Sequence, residues 1–344
     1  MFSKKIPAAL ILCLVLLLAT DAVVRRHIYG LMSISYGILH YKDNIVKTEN
    51  LDRFNGIFMG DSRILGLHAK EISDIVFMET GKRYEFFNYS FPQSGVQSYY
   101  LLLKKYLKYQ KAPEVIVFMS SPIALTGEWN FNKVEKPFSV AFYCFAFLYS
   151  LRDTLMSLPL ETALAVAQLK LENAFALIAY RAEIKKFLQD PSTYEDRREW
   201  LKRSMAVSNG GALMTRNVPP TVSEIKGSTF FTTEFKINAD SVSWYKKFFA
   251  LALEHNIQVI IANAPLIDLV YAQREATGAN VRYSREIMKF KTEFPHIHII
   301  DPLVEPYGME YFGDVHHLNR EGFKKFTGSV GKRIAALIGT VSSL

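Results

Sequence analysis

Two short segments, far apart in the chain, hold side chains that could do chemistry together. Near the start, Gly56-Ile57-Phe58-Met59 runs into Gly60-Asp61-Ser62-Arg63. Near the end, Asp314-Val315-His316-His317-Leu318-Asn319 precedes a helix-like stretch. Together they supply a serine, a histidine and an aspartate, the three groups of a serine hydrolase. A serine hydroxyl is a weak nucleophile until a base removes its proton. Ser62 is the candidate nucleophile, because the apolar run before it places it at the exit of a strand, facing a pocket at the edge of an α/β sheet. A serine in that position is also a good helix N-cap, so Ser62 alone decides nothing. The distant segment decides it. His317 stands three residues after Asp314, so the carboxylate can accept from one ring nitrogen while the other faces the serine. His316 is the rival for the same role. His296 and His298 read as structural, and His68 and His255 are assigned no role. An oxyanion needs donors: the Ser62 N–H is the first candidate, Gly95 could bring a second N–H close to substrate, and Ser120 or Ser121 could give a hydroxyl or an N–H.

These groups need a scaffold, and the chain alternates short apolar runs with helix-length segments after about residue 53. Strands are expected at 56–59, 84–89, 114–119, 258–262 and 298–300. Helices are expected at 65–80, 96–109, 241–255, 282–294 and 321–338, the first closed by Gly81 where a left-handed residue is wanted. Strands alternating with helices predict a parallel sheet, in a flavodoxin-like three-layer α/β/α sandwich. Ligands in such sheets sit beyond the carboxyl ends of the strands. Ser62, the 90–95 loop, Ser120-Ser121-Pro122, Asn263-Ala264-Pro265 and the 314–317 loop all fall there. Residues 125–233 interrupt the alternation as a helical insertion, with helical patterns at 160–180 and 181–189. It reads as a subdomain with its own small core, or as a lid or membrane-docking surface.

The two chemistry-bearing segments resemble those of the SGNH, or GDSL-like, hydrolase superfamily. Gly60-Asp61-Ser62 matches the family's first block, and Asp314-Val315-His316-His317 matches its last. The resemblance covers residues 54–124 and 239–340. It implies Ser62 as nucleophile, His317 as base and Asp314 as the acid of the triad. The middle blocks depart from the pattern. Asn88 answers the second-block asparagine and joins the oxyanion or substrate-binding candidates, but Ser90 and Gln93 follow where glycines are usual, with Gly95 displaced. The third block, Met119-Ser120-Ser121-Pro122, lacks the family's asparagine. The Ser-Pro ending and the N-terminal apolar run look like a membrane-tethered branch that includes proteins of alginate O-acetylation and teichoic-acid D-alanylation. Those relatives work beside a membrane-bound acyltransferase and modify cell-surface polymers.

Composition bounds the rest. Of 344 residues, 49% are hydrophobic and 22% charged, which fits a globular core plus one membrane segment. The net charge of +8 is spread along the chain, with no block of like charge, so nucleic acid is not an expected partner. Cys13 and Cys144 both sit in apolar runs, predict no disulfide and lack metal-ligand spacing. No metal and no cofactor is expected. Residues 1–26 read as a signal anchor whose apolar core, 6–24, follows Lys4 and Lys5. Thr20-Asp21-Ala22 is a poor cleavage site for the competing signal peptide. Residues 27–53 read as a linker. Lys4 and Lys5 oppose Arg25 and Arg26 in setting topology, and the bulk of the chain is expected outside the cytoplasm. The expected function is a membrane-anchored, extracytoplasmic serine acyl esterase or O-acyltransferase acting on cell-surface polysaccharide or another acyl ester. A catalytically inactive accessory protein for a membrane-bound O-acyltransferase is one alternative, and a lipase or lysophospholipase is another.

Overall fold

The computed structural model describes residues 8–31, 34–92, 95–126, 160–173, 175–190, 197–212, 218–231 and 235–340. Gln93, Ser94 and the aromatic opening of the insertion around Cys144 lie outside the described residues. Two helices come first: α1 (Ala8–Leu31) and α2 (Ile34–Thr48). The sheet then alternates with helices as β1 (Gly56–Gly60), α3 (Ala69–Thr80), β2 (Phe86–Asn88), α4 (Val96–Tyr109) and β3 (Val115–Met119). The insertion contributes α5 (Leu160–Asn173), α6 (Ala176–Ala179), α7 (Arg181–Gln189), α8 (Arg197–Ser208) and α9 (Val222–Lys226). The alternation resumes with α10 (Ala239–Glu254), β4 (Gln258–Ala262), β5 (Leu266–Ile267), α11 (Asp268–Ala276), α12 (Ala279–Glu293), β6 (Ile297–Ile299), β7 (Pro306–Tyr307) and α13 (Arg320–Thr340).

Five strands form one parallel sheet in the order β2-β1-β3-β4-β6, with every pairing parallel. This is the order of a doubly wound sheet whose switch point lies between β1 and β3. The central strands β1 and β3 are buried at every position, as parallel strands covered on both faces must be. Helices α3 and α13 pack together on one face, and α4, α10 and α12 cover the other. The helix-length patterns place these elements to within a few residues, and Gly81 ends α3 with φ 70° as its position required. A second, two-stranded sheet pairs β5 with β7; two residues per strand carry too little periodicity to be read from sequence.

Three expectations change. Residues 34–48 of the expected linker are a helix that buries Ile38, Leu39, Ile45 and Val46. The insertion has no core of its own among the described residues: Val166, Ile225 and Phe230 join the main core, and Met205 and Ala212 pack with Ile38 and Leu65. Helix α1 continues through Arg25 and Arg26 to Leu31 instead of ending with the apolar run. Among the described residues no helix is long and apolar enough to cross a membrane.

Candidate active site

Strand β1 delivers the first group. Its last residue, Gly60, lies so close to β3 that a Cβ there would strike the Met119 carbonyl and the Ile64 side chain. Asp61 then caps a single 3-10 turn, Ser62–Ile64, its carboxylate accepting from the Arg63 N–H at 3.0 Å. Ser62 opens that turn half-buried at the C-terminal edge of the sheet. Its N–H is the first of the turn and has no acceptor within it.

The other two groups come from the loop before α13. A β-bridge between Phe312 and Leu318 pinches this loop, and the Gly313 N–H donates to the His317 carbonyl at 2.9 Å. Asn319 anchors the loop's exit by donating to the Glu310 carbonyl at 2.7 Å and accepting from the Gly322 N–H at 2.9 Å. His317 Nδ1 lies 2.8 and 3.0 Å from the two Asp314 oxygens, and His317 Nε2 lies 2.8 Å from Ser62 Oγ. An ionised carboxylate only accepts, so Nδ1 carries the proton and Nε2 accepts from the Ser62 hydroxyl. The backbone N–H groups of His316 and His317 also donate to Asp314 Oδ1, at 2.7 and 2.8 Å. Partial burial pushes the Asp314 carboxyl up, but its hydrogen bonds and the His317 charge outweigh this and hold it at about 2. Asp314 is therefore ionised at any working pH, the state required of a group that steadies an imidazolium.

His316, the rival base, faces the other way. Its ring lies on Phe230 with centroids 4.5 Å apart, and its Nδ1 is buried without a partner. Burial, reinforced by His317, pulls its pKa to about 4 and keeps it neutral. Among the sequence candidates, the structure brings Ser62, His317 and Asp314 together and leaves His316 outside the relay.

The middle-loop candidates are placed differently. Asn88 is fully buried. Its amide donates to the carbonyls of Ile64 at 2.9 Å and Leu67 at 3.2 Å, and its oxygen accepts from the Ser90 N–H at 3.1 Å. This side chain fastens β2 to the turn that carries Ser62. Ser120, 3% exposed, bonds through Oγ to the Tyr245 hydroxyl, while Ser121 Oγ accepts from the Ile123 N–H at 3.2 Å. The polar side-chain atoms of Asn88, Ser120 and Ser121 are engaged with buried partners in the protein. Gly95 opens α4 as its N-cap in an extended conformation, with φ −91°.

Two buried basic side chains carry no functional signal in the motifs. Arg63 clamps Asp61 through Nε at 2.9 Å and Nη2 at 2.5 Å, and its guanidinium lies over Phe230. Burial opposes its charge, but Asp61 holds its pKa above the ordinary value. The Tyr99 hydroxyl hydrogen-bonds both Asp61 and Ser120, so the network runs from the nucleophile turn through α4 to β3 and α10. Lys42, fully buried on α2, donates to the carbonyls of Asn88 at 2.7 Å and Ser90 at 2.8 Å. Burial pulls its pKa well below the usual lysine value. Its signal was present in the sequence: Lys42 interrupts the apolar stripe Ile38, Leu39, Ile45, Val46 at helical spacing.

No group of three or more histidine, cysteine, aspartate or glutamate side chains among the described residues could hold a metal ion. No protein-family model matches the chain, and no curated protein is significantly similar to it.

Proposed function

We propose that the chain is a membrane-anchored, extracytoplasmic SGNH-type serine enzyme. In this reading it transfers an acyl group from an ester donor through Ser62 to a hydroxyl of a cell-surface glycan or to water. The observation that carries the proposal is the unbroken relay from Asp314 through His317 to Ser62, with 2.8 Å at each closest contact. Ser62 Oγ attacks the acyl carbonyl as its proton passes to His317 Nε2. The Ser62 N–H, with the Gly95 N–H as the second donor, receives the developing oxyanion. Collapse expels the donor alcohol, which takes the proton from His317 and leaves the acyl group on Ser62. The acceptor hydroxyl then gives its proton to His317 and attacks the ester, and Ser62 regains its proton as it leaves. Asp314 remains ionised throughout. The anchor in this reading is the apolar run 6–24 behind Lys4 and Lys5, most of which lies in α1.

The test is turnover of a chromogenic acetyl ester by the wild-type chain and by Ser62→Ala. Turnover that vanishes in the variant, with the circular dichroism spectrum unchanged, supports the proposal; equal turnover in the two rejects it. The inward commitment of Asn88, Ser120 and Ser121 supports a second reading, a non-catalytic accessory to a membrane-bound O-acyltransferase. A wild-type chain inert towards every serine-directed probe would favour that second reading.

A further inference from the structure

The apolar N-terminal helix carries an acid where lipid would exclude one. Asp21 is only 6% exposed, and its carboxylate accepts the Leu177 N–H of α6 at 2.9 Å. Helices α6, α7 and α8 pack around α1 at this level. A carboxylate in hydrocarbon is costly, so the face of α1 that carries Asp21 is covered by protein, while Val23 on another face is 60% exposed. Thr20, one residue earlier, hides its hydroxyl by donating to the Leu16 carbonyl at 2.8 Å, which hydrocarbon tolerates. Leu12, Leu14, Val15, Leu16, Leu17 and Leu18 are each more than half exposed.

The part of α1 ahead of Asp21, from Ala8 to Thr20, spans about 20 Å at about 1.5 Å per residue, less than the roughly 30 Å of a bilayer's hydrocarbon core. A shortfall of that size draws the bilayer surface down onto whatever surrounds α1. That surrounding surface is apolar. On α5, Leu160, Leu164 and Leu171 lie on one helical face and are 73%, 62% and 71% exposed, while Ala163 and Val166 on another face are buried. Beside Asp21, Phe175 and Ile178 flank the α6 contact and are nearly half exposed, and Leu188 on α7 is 71% exposed. Apolar side chains unpartnered on successive helices, next to an exposed apolar helix, mark an interaction surface.

We propose that α5–α7 form a collar that rests in the phospholipid bilayer around α1, with Leu160, Leu164 and Leu171 at the boundary between headgroups and acyl chains. The occupant is the lipid surface itself, because the collar continues the exposed face of α1 and completes the depth that α1 lacks. The collar rests on the reading of α1 as an anchor. It holds the helical insertion close to the membrane surface.

The test uses the full chain with Cys144→Ser, in nanodiscs of phosphatidylcholine and phosphatidylglycerol. Native Cys13, exposed on α1, carries a nitrobenzoxadiazole label that reports on the anchor. With Cys13→Ser, the label sits instead at Leu164→Cys or Leu171→Cys, and at Val281→Cys on α12 as the solvent control. The expected result is a blue shift and about twofold or greater quenching by doxyl-labelled lipid at positions 13, 164 and 171, with none at 281. Quenching at Cys13 alone overturns the collar and leaves the anchor standing. Quenching at none of the four overturns both.

Discussion

The outer loops of the site and its middle loops are built from similar residues and used in opposite ways. The β1 turn and the 314–317 loop aim Ser62 and His317 at each other across a half-exposed edge. The loops after β2 and β3 turn Asn88, Ser120 and Ser121 inward and satisfy them against the protein. The difference lies in where the polar partners are. Asp314 finds its donors in its own loop, which leaves the His317 ring free to face out. Asn88 and Ser120 find theirs in neighbouring elements, which spends them on holding the turn that presents Ser62. A reactive serine needs both kinds of loop: one to react, and one to keep the reacting atoms within hydrogen-bond reach.

This contrast can be broken at either end. The largest effect is expected at Ser62→Ala, where turnover of an acyl ester should fall by about 10³-fold or more with thermal stability unchanged. Asp314→Asn should lower kcat by about 10²–10⁴-fold while KM moves little, because the histidine loses its orienting carboxylate. The middle loops should respond in stability. Asn88→Ala removes a buried amide that ties Ile64, Leu67 and Ser90 together and should cost about 2–4 kcal/mol in denaturant unfolding. Lys42→Met keeps the volume but orphans the Asn88 and Ser90 carbonyls, and should cost about 1–3 kcal/mol. Ser121→Ala removes one weak cap and should change stability by only about 0.5–1 kcal/mol, with kcat nearly unaltered.

Acid sharpens the comparison further. Burial lowers His40 and His316 from 6.5 to about 4, so both are neutral in the native chain. As pH falls from 6.5 towards about 4, the unfolded chain takes up protons that the native chain refuses, so stability drops in that window and levels below it. Asp314, held at about 2, acts in the same direction at lower pH: its contribution is full above its ordinary 3.8 and is lost as pH falls from there through about 2. His40→Gln should flatten the loss between pH 6.5 and 4 seen in thermal melts of the wild-type chain.

The approach of Asp314, His317 and Ser62 could be anticipated in the sequence because Asp314 and His317 are three apart in any loop that joins them. The parallel sheet could be read because its buried strands are unbroken apolar runs of five residues, as in Val115–Met119. Lys42 and Arg63 were not read, since a lone cation in an apolar stripe looks like a surface residue until its carbonyl or carboxylate partner is located in space. Helix α2 looks like a linker in the sequence because Lys42, Asp43 and Lys47 dilute its apolar stripe. The insertion's dependence on the main core was hidden for a similar reason. Val166, Ile225 and Phe230 are far apart in sequence, and only the fold shows that they bury against the same sheet layers.

If the relay is catalytic, Ser62 and no other side chain becomes covalently acylated. Peptide mass spectrometry after treating the wild-type chain with a fluorophosphonate reads this directly. One adduct is expected, on the peptide holding Ser62, absent in Ser62→Ala and much slower to form in His317→Ala. An adduct on Ser120 or Ser121, or undiminished labelling of Ser62→Ala, would contradict it.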